Sequence, residues 1–366
     1  MAITTGIVGL PNVGKSTLFN ALTQSHIEAE NYPFCTIEPN HGMVKINDIR
    51  LKQINSVIAT DKISPAFLEF VDIAGLVKGA SMGEGLGNQF LSNIRNVDAI
   101  IHVVRCFEDE NITHVEKSIS PIRDIEIINT ELLLRDIETI SKRITKIEKN
   151  VKSGDKEYQK ENTFLQFLLE NLNDGVLIKN LDLDDNQKAL LKSISPLTAK
   201  PTLYIANIED KHLGDLENNN HYMELKKWGD TNNESIIELC SKFEMEIIDL
   251  EDEEKSEFLM SYGLEQAGLD RLTKETFQLL GMETFFTAGE KEIRSWPIKK
   301  NTPAVNAAGC IHSDIERGFI KAEVYSLENL LEYKSEEALK NNGKIKQEGK
   351  DYIVQDGDII YFKFNV

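Results

Sequence analysis

The chain has no CxxC pair: Cys35, Cys106, Cys240 and Cys310 are scattered over 366 residues, which excludes a zinc knuckle or a disulfide framework and fits a reducing compartment. It has no run approaching ~18 uninterrupted apolar residues, so no membrane-spanning helix is expected. Met1–Leu10 carries no basic segment and runs directly into a glycine motif, which argues against a secretory signal and for the cytoplasm. Repeats and long low-complexity tracts are missing as well. Positive charge is scarce, with 41 Lys+Arg against 60 Asp+Glu and a formal charge of −19. So acidic a surface repels phosphate backbones, which excludes binding to DNA or RNA through bulk charge and leaves only a local basic patch. The chain does have an ordinary globular balance of 41% hydrophobic and 28% charged residues, over a length that predicts two or three domains at roughly 100–200 residues each.

Short, nearly all-apolar stretches at Ile3–Val8, Ala66–Asp72, Asp98–Val104, Pro201–Asn207 and around Ser235–Leu239 alternate with helical segments. That pattern predicts an α/β domain whose mainly parallel sheet is covered on both faces. The period then changes. Leu133, Ile137, Ile140, Ile144, Ile147 and Val151 recur at heptad-like spacing, Gly154-Asp155 breaks the run, and Leu165, Leu168 and Leu172 mark a second helix before Asn173-Asp174-Gly175. A helical hairpin inserted into the α/β domain is expected. Its outer face carries Lys142, Arg143, Lys146, Lys149, Lys152, Lys156 and Lys160, a basic arm on an acidic protein and the natural candidate for contacting RNA. The acidic run Asp249–Lys255 reads as a solvated loop or helix start. From about Gly281, strand-like runs at Gly318–Tyr325 and Asp358–Phe364 surround a helical Leu327–Lys334, with turn signals at Asn342-Gly343 and Asp356-Gly357. These predict a small α+β carboxy-terminal domain. The expected domains are therefore 1–125 with 198–280, then the insertion 126–197, then 281–366.

Gly9-Leu10-Pro11-Asn12-Val13-Gly14-Lys15-Ser16 matches GxxxxGK[ST] between a strand and a helix, the placement that this motif requires. Backbone N–H groups from Gly9 to Thr17, among them those of Asn12, Val13 and Gly14, can cradle phosphates at a positive helix terminus. Lys15 reaches the β- and γ-phosphates, and Ser16 ligates Mg²⁺. Hydrolysis needs a second carboxylate at a neighbouring strand end, and Asp72-Ile73-Ala74-Gly75 supplies it. Asp72 holds Mg²⁺ through water, the Gly75 amide meets the γ-phosphate, and Gly79, Gly83, Gly85 and Gly87 suggest a switch loop. Thr36 is positioned in sequence to give Mg²⁺ a second hydroxyl. Asn207-Ile208-Glu209-Asp210 stands where guanine-binding switches carry NKxD. The lysine is absent, yet Asp210 could accept from guanine N1–H and its 2-amino group, so spacing alone leans to guanine. Leu76 follows DxxG where many GTPases place a glutamine, which predicts slow intrinsic hydrolysis.

The chain resembles the YchF family, the Obg-like ATPases, through GLPNVGKST, NYPFCTIEPN, FVDIAGLVKGAS with GEGLGNQFL, HVVRCFEDENITHV, and GFIKAEVYSLENL to GKDYIVQDGDIIYFKFNV. The match runs essentially end to end. The resemblance implies a central P-loop G-domain, a coiled-coil insertion and a terminal TGS domain of β-grasp type. It also implies ATP as substrate, with the base held by Asn207 and by the backbone of Ile208, although Asp210 departs from the family's glutamate. His114 matches the family's proposed water-positioning histidine, whereas His102 reads as a packed strand residue. Asn12, with Leu76, matches relatives that use K⁺ beside Mg²⁺. Association with the ribosome is implied by the resemblance and not by composition. An Obg-type GTPase, or a nucleotide-gated protein-binding module in which hydrolysis is incidental, are the alternative readings.

Overall fold

The structure is a computed structural model that describes residues 3–24, 40–73 and 94–365. They fall into two compact units, one built from Thr4–Gly42 with Phe70–Leu269, the other mainly from Met43–Glu69 with Asp270–Val366.

The first unit is organised by strands β1 (Ile3–Val8), β5 (Ala99–Arg105), β6 (Thr202–Asn207) and β7 (Ile236–Leu239), ordered β1-β5-β6-β7, and also holds the start of β2 (His41–Lys45) and the end of β4 (Phe67–Asp72). β1 with β5, β5 with β6, and β6 with β7 pair in parallel, as the apolar strands predicted. Every residue of β5 is buried, which is why Ala-Ile-Ile-His-Val-Val-Arg shows no polar alternation. Gly6 of β1 has no room for a side chain, since a Cβ there would collide with Ile73 Cδ1. Helix α1 (Lys15–Gln24) follows β1 and buries Leu18, Ala21 and Leu22.

The helical hairpin consists of α3 (Pro121–Lys152) and α4 (Lys156–Asn173). Pro121 opens α3 at a first-turn position where its missing N–H is harmless. Gly154, with φ +85, ends the run, and the Asp155 carboxylate accepts from the amides of Glu157 and Tyr158 to start α4. Ile140, Ile147, Phe164, Leu165, Leu168 and Leu172 form the buried seam, with Leu133, Ile137, Ile144 and Val151 packed against it. The hairpin does not separate at residue 126 as expected. Helix α3 starts earlier, and Ile125 belongs to the same cluster as Val104, Tyr204 and Tyr222 of the sheet domain, so the arm is a continuation of the core. Beyond it come α5 (Asp185–Ile194), α6 (Asn220–Asn232), α7 (Ser241–Glu246), α8 (Asp252–Ser261) and α9 (Gly268–Leu279). The acidic run 249–255 supplies the start of α8.

The second unit holds a sheet ordered β11-β10-β12-β8-β9-β3, from β3 (Ile63–Ser64), β8 (Met282–Thr287), β9 (Ile293–Lys299), β10 (Phe319–Ser326), β11 (Lys346–Glu348) and β12 (Asp358–Phe364). Helix α10 (Ala304–Ile311) lays Ala304, Ala307 and Ala308 against Phe285, Val324 and Phe362. The expected boundary at 281 is corrected here, because residues 43–69 and 270–280 group with the carboxy-terminal segment. The cause is burial: α2 (Ile49–Asn55) places Leu51 and Ile54 among Phe286, Ile293, Tyr325 and Ile359, and β3 pairs in parallel with β9 through Ile63 and Ile293. Asn342-Gly343 ends the helix Glu336–Asn341 and is not a hairpin turn. Asp356-Gly357 does turn the chain, with Gly357 at φ +91 and the Asp356 carboxylate accepting the Thr284 amide at 2.8 Å. Among the described residues, no helix is long and apolar enough to cross a membrane.

His102 is a packed strand residue, as expected, 5.4 Å from the Tyr204 ring. Burial, reinforced by the Lys179 charge, lowers its pKa to about 3. The unfolded chain therefore binds a proton below about pH 6.5 that the native state refuses, and stability rises with pH through this window. Between pH 6.5 and 5 the loss from His102 amounts to about 2 kcal/mol. Thermal melts across pH 5–7.5 are expected to show a shallower acid slope for His102→Leu than for the native chain.

Candidate nucleotide site

The carboxyl ends of the parallel strands converge on a cavity of about 850 Å³, lined by Asn12, Gly14, Lys15, Ser16 and Thr17 of the loop after β1, by Phe107 and Glu108 after β5, by Asn207, Ile208, Glu209 and Asp210 after β6, and by Ser241 after β7. This is the crevice where open α/β sheets take ligands. The loop is shaped by two positive-φ residues, Asn12 at φ 62 and Gly14 at φ 94, conformations available to Asn and Gly at little cost. Gly9 and Val13 do not line the cavity. A Cβ on Gly9 would meet Val103 O at 2.7 Å, and Val13 is buried, so both set the loop's path.

Asn207 fastens this loop from outside. Its Nδ2 donates to Val13 O at 2.8 Å, while its Oδ1 accepts from the Ser241 amide and hydroxyl, each at 3.0 Å. A Cβ on Gly14 would strike Asn207 Nδ2. The expectation that Asn207 reads the base is thus joined by a structural duty that occupies both ends of its amide. The Ile208 amide, expected to face the base, donates to Leu239 O at 2.9 Å, which leaves its carbonyl as the backbone group for that role. Asp210 Oδ1 accepts from the Lys211 amide at 2.8 Å. Glu209 Oε1 accepts from the Glu108 amide at 2.7 Å. Burial would raise the Glu209 carboxyl, but Lys211 and that amide outweigh it and hold the group below its ordinary range.

At the phosphate end, the Lys15 ammonium is ion-paired with the Asp72 carboxylate, and both side chains are mostly buried. The Ser16 hydroxyl and the Asp72 carboxylate offer hard oxygen donors of the kind Mg²⁺ takes. Among the described residues there is no group of three or more His, Cys, Asp or Glu that could hold a metal ion. Thr36, Gly75, Leu76 and Cys35 lie outside the described residues.

His114 is not at the cavity. It is buried, its Nε2 lies 2.8 Å from Asp124 Oδ2, and its Nδ1 accepts the Glu116 amide at 3.1 Å, so the ring proton sits on Nε2. Asn12, expected to favour K⁺, donates through Nδ2 to Thr113 O at 3.0 Å. Two residues were not singled out in the sequence. Ser241 carries a positional signal only, two residues beyond the end of the last parallel strand, where α/β sheets present ligand-side groups. Arg105 falls within the HVVRCFEDENITHV string but carries no expected role there; its guanidinium donates to Phe107 O at 3.1 Å and Ile112 O at 3.0 Å and stacks 4.4 Å from the Phe107 ring, fixing the loop after β5.

Residues 4–135 match a family model described as 50S ribosome-binding GTPase, and residues 282–365 match the YchF-GTPase carboxy-terminal model, described as a protein of unknown function. The chain is 50% identical over 366 residues to the ribosome-binding ATPase YchF of Bacillus subtilis and 48% identical to that of Escherichia coli O157:H7, with 100% of each chain covered. The solved structure of the Schizosaccharomyces pombe YchF GTPase is similar with a TM-score of 0.88 at 36% identity, covering 99% of this chain and 97% of that one.

Asn207→Ala strands the Val13 carbonyl and both Ser241 donors. It is expected to lower unfolding stability by about 2 kcal/mol and Ser241→Ala by about half that, measured by urea denaturation.

Proposed function

This chain belongs to the YchF family, and from that premise we propose that it is an ATPase that associates with the ribosome and uses the cavity at the carboxyl end of its parallel sheet as the ATP site. The observation that carries the reading is the phosphate loop itself: a cradle with Asn12 and Gly14 at positive φ, opening α1 and delivering Lys15 beside Asp72. Backbone N–H groups and the helix terminus receive the phosphates, and Lys15 exchanges its carboxylate partner for phosphate oxygens. Mg²⁺ would be held by Ser16 and Asp72, with Thr36 as a further hydroxyl, and would neutralise charge on the transferring phosphoryl group. Gly75 would donate its amide to the γ-phosphate. His114 is the residue that orients or accepts a proton from the attacking water, in place of the glutamine that Leu76 replaces.

ATP is favoured over GTP because the NKxD lysine is absent and the Asp210 carboxylate already accepts a backbone amide. Ile208 lines the cavity, and its carbonyl is read as the acceptor for an adenine amino group. Asn12 Oδ1 is the atom that would meet K⁺. The second unit is read as the TGS domain and the hairpin as the family's coiled-coil arm, and a ribosome partner puts the protein in the cytoplasm.

The ribosome-facing surface is read as the basic face of α3. A cavity of about 580 Å³ there is lined by Arg95, Arg135, Lys142, Arg143 and Lys146 against Glu138 alone. Lys142 pairs with Glu138 and Arg143 with Glu161. The Lys142 pair is exposed and contributes little, so phosphate oxygens of ribosomal RNA can displace its carboxylate, whereas Glu161 is buried beneath Arg143.

Calorimetric titration with ATP and GTP analogues at matched Mg²⁺ is expected to favour ATP by tenfold or more, about 1.4 kcal/mol. Tighter GTP binding would reassign the protein as an Obg-type GTPase. Charge reversal of Lys142, Arg143, Lys146 and Lys149 to Glu is expected to abolish co-sedimentation with ribosomes while leaving ATP affinity intact, and unchanged sedimentation would move the contact elsewhere.

A further inference from the structure

We infer that Asp124 is a positioning residue that holds His114 away from the phosphate site, so that displacement of α3 sets the rate of hydrolysis. The inference rests on the reading of His114 as the residue that addresses the water. In the observed arrangement that residue cannot act, because Nε2 faces Asp124 Oδ2 at 2.8 Å and Nδ1 takes the Glu116 amide at 3.1 Å. Neither nitrogen is left for water. The pair is dry, with side-chain exposures of 3% for His114 and 2% for Asp124, so the contact is a charge-assisted bond in a low-dielectric setting.

Asp124 is itself clamped. Its Oδ1 receives Arg123 Nη2 at 3.0 Å and Nε at 3.3 Å, and the same guanidinium is tied to Ser118 O at 2.5 Å and Ser118 Oγ at 2.9 Å. Both carboxylate oxygens are therefore committed. The backbone beside His114 is already at the phosphate loop, because Asn12 Nδ2 donates to Thr113 O at 3.0 Å and Arg105 holds Ile112 O at 3.0 Å. The chain is pinned next to the site while the ring is turned into the protein, so a change of rotamer after loss of the Asp124 contact brings His114 into play without moving the loop.

Asp124 lies in the first turn of α3, a helix of 32 residues, roughly 48 Å long at 1.5 Å per residue. Arg135, Lys142, Arg143 and Lys146 lie on the same rod. A partner that grips this face and shifts the helix along or about its axis pulls Asp124 from His114.

The test is steady-state ATP hydrolysis by the full chain. Asp124→Ala is expected to raise basal kcat about tenfold, about 1.4 kcal/mol, with KM for ATP unchanged. Arg123→Ala, on a partly exposed side chain that does not threaten the fold, is expected to raise it by less. Purified ribosomes are expected to stimulate both variants by a smaller factor than the native chain, and the gain is expected to vanish in Asp124→Ala with His114→Ala. A basal kcat that is unchanged or lower in both single variants, while His114→Ala abolishes turnover, overturns the latch and leaves the role of His114 standing. Equal stimulation of all forms by ribosomes overturns the coupling through α3. Native turnover in His114→Ala removes the reading on which the inference rests.

Discussion

The nucleotide site depends on one buried amide. Asn207 sits at the end of β6, and its side chain joins the phosphate loop, through Val13 O, to the start of α7, through Ser241. The amide fills the space beside Gly14 that any larger residue would need, so the positive-φ bend of the loop and the glycine within it answer to the same packing constraint. Because β6 lies beside β5 and β5 beside β1 in parallel register, the sheet delivers Asn207 to the loop without a dedicated connection. The loop after β1, the start of α7 and the core of the first unit thus share one hydrogen-bonded junction, and a half-satisfied junction of this kind would be worse than none.

Charge management is the second theme. A chain with a formal charge of −19 can attract a polyanion only locally, and loop N–H groups, a helix terminus and Lys15 are the groups proposed for that task. Carboxylates at and beside the site are held in protein-made pairs: Asp72 with Lys15 and Asp124 with His114. Each pair keeps a buried carboxylate from standing alone. On the basic face of α3 the pairs of Lys142 with Glu138 and Lys152 with Glu148 are exposed and contribute little, whereas Arg143 is held by the buried Glu161.

Much of this was legible in the sequence. The strands β1, β4, β5, β6, β7, β10 and β12, the phosphate-loop string, the hairpin seam and the packed His102 were readable from local patterns, because apolar runs, heptad spacing and the Gly-x-x-x-x-Gly-Lys-Ser string express rules that operate within a few residues, whereas β2, β3, β8, β9 and β11 were not. The membership of residues 43–69 in the second unit was not legible, since it comes from α2 packing on strands more than two hundred positions later, with Leu51 and Ile54 against Phe286 and Ile293. Ser241 carried no motif and Arg105 sat in a family string without a role, and the importance of both lies in whom they bond.

The sequence by itself determined that there is a phosphate loop, where it begins, which lysine and hydroxyl it offers, and that an amphipathic helical arm interrupts an α/β sheet. Tertiary structure alone decided what holds that loop and where its neighbours turn: Asn207 reaches Val13 across 194 residues, Asn12 reaches Thr113 across 101, and His114 is turned toward the foot of α3. The physical reason is range. Backbone conformation and helical periodicity are set by near neighbours along the chain, whereas the partner of a buried amide, carboxylate or imidazole is set by strand order and by which groups the core brings close enough to satisfy it.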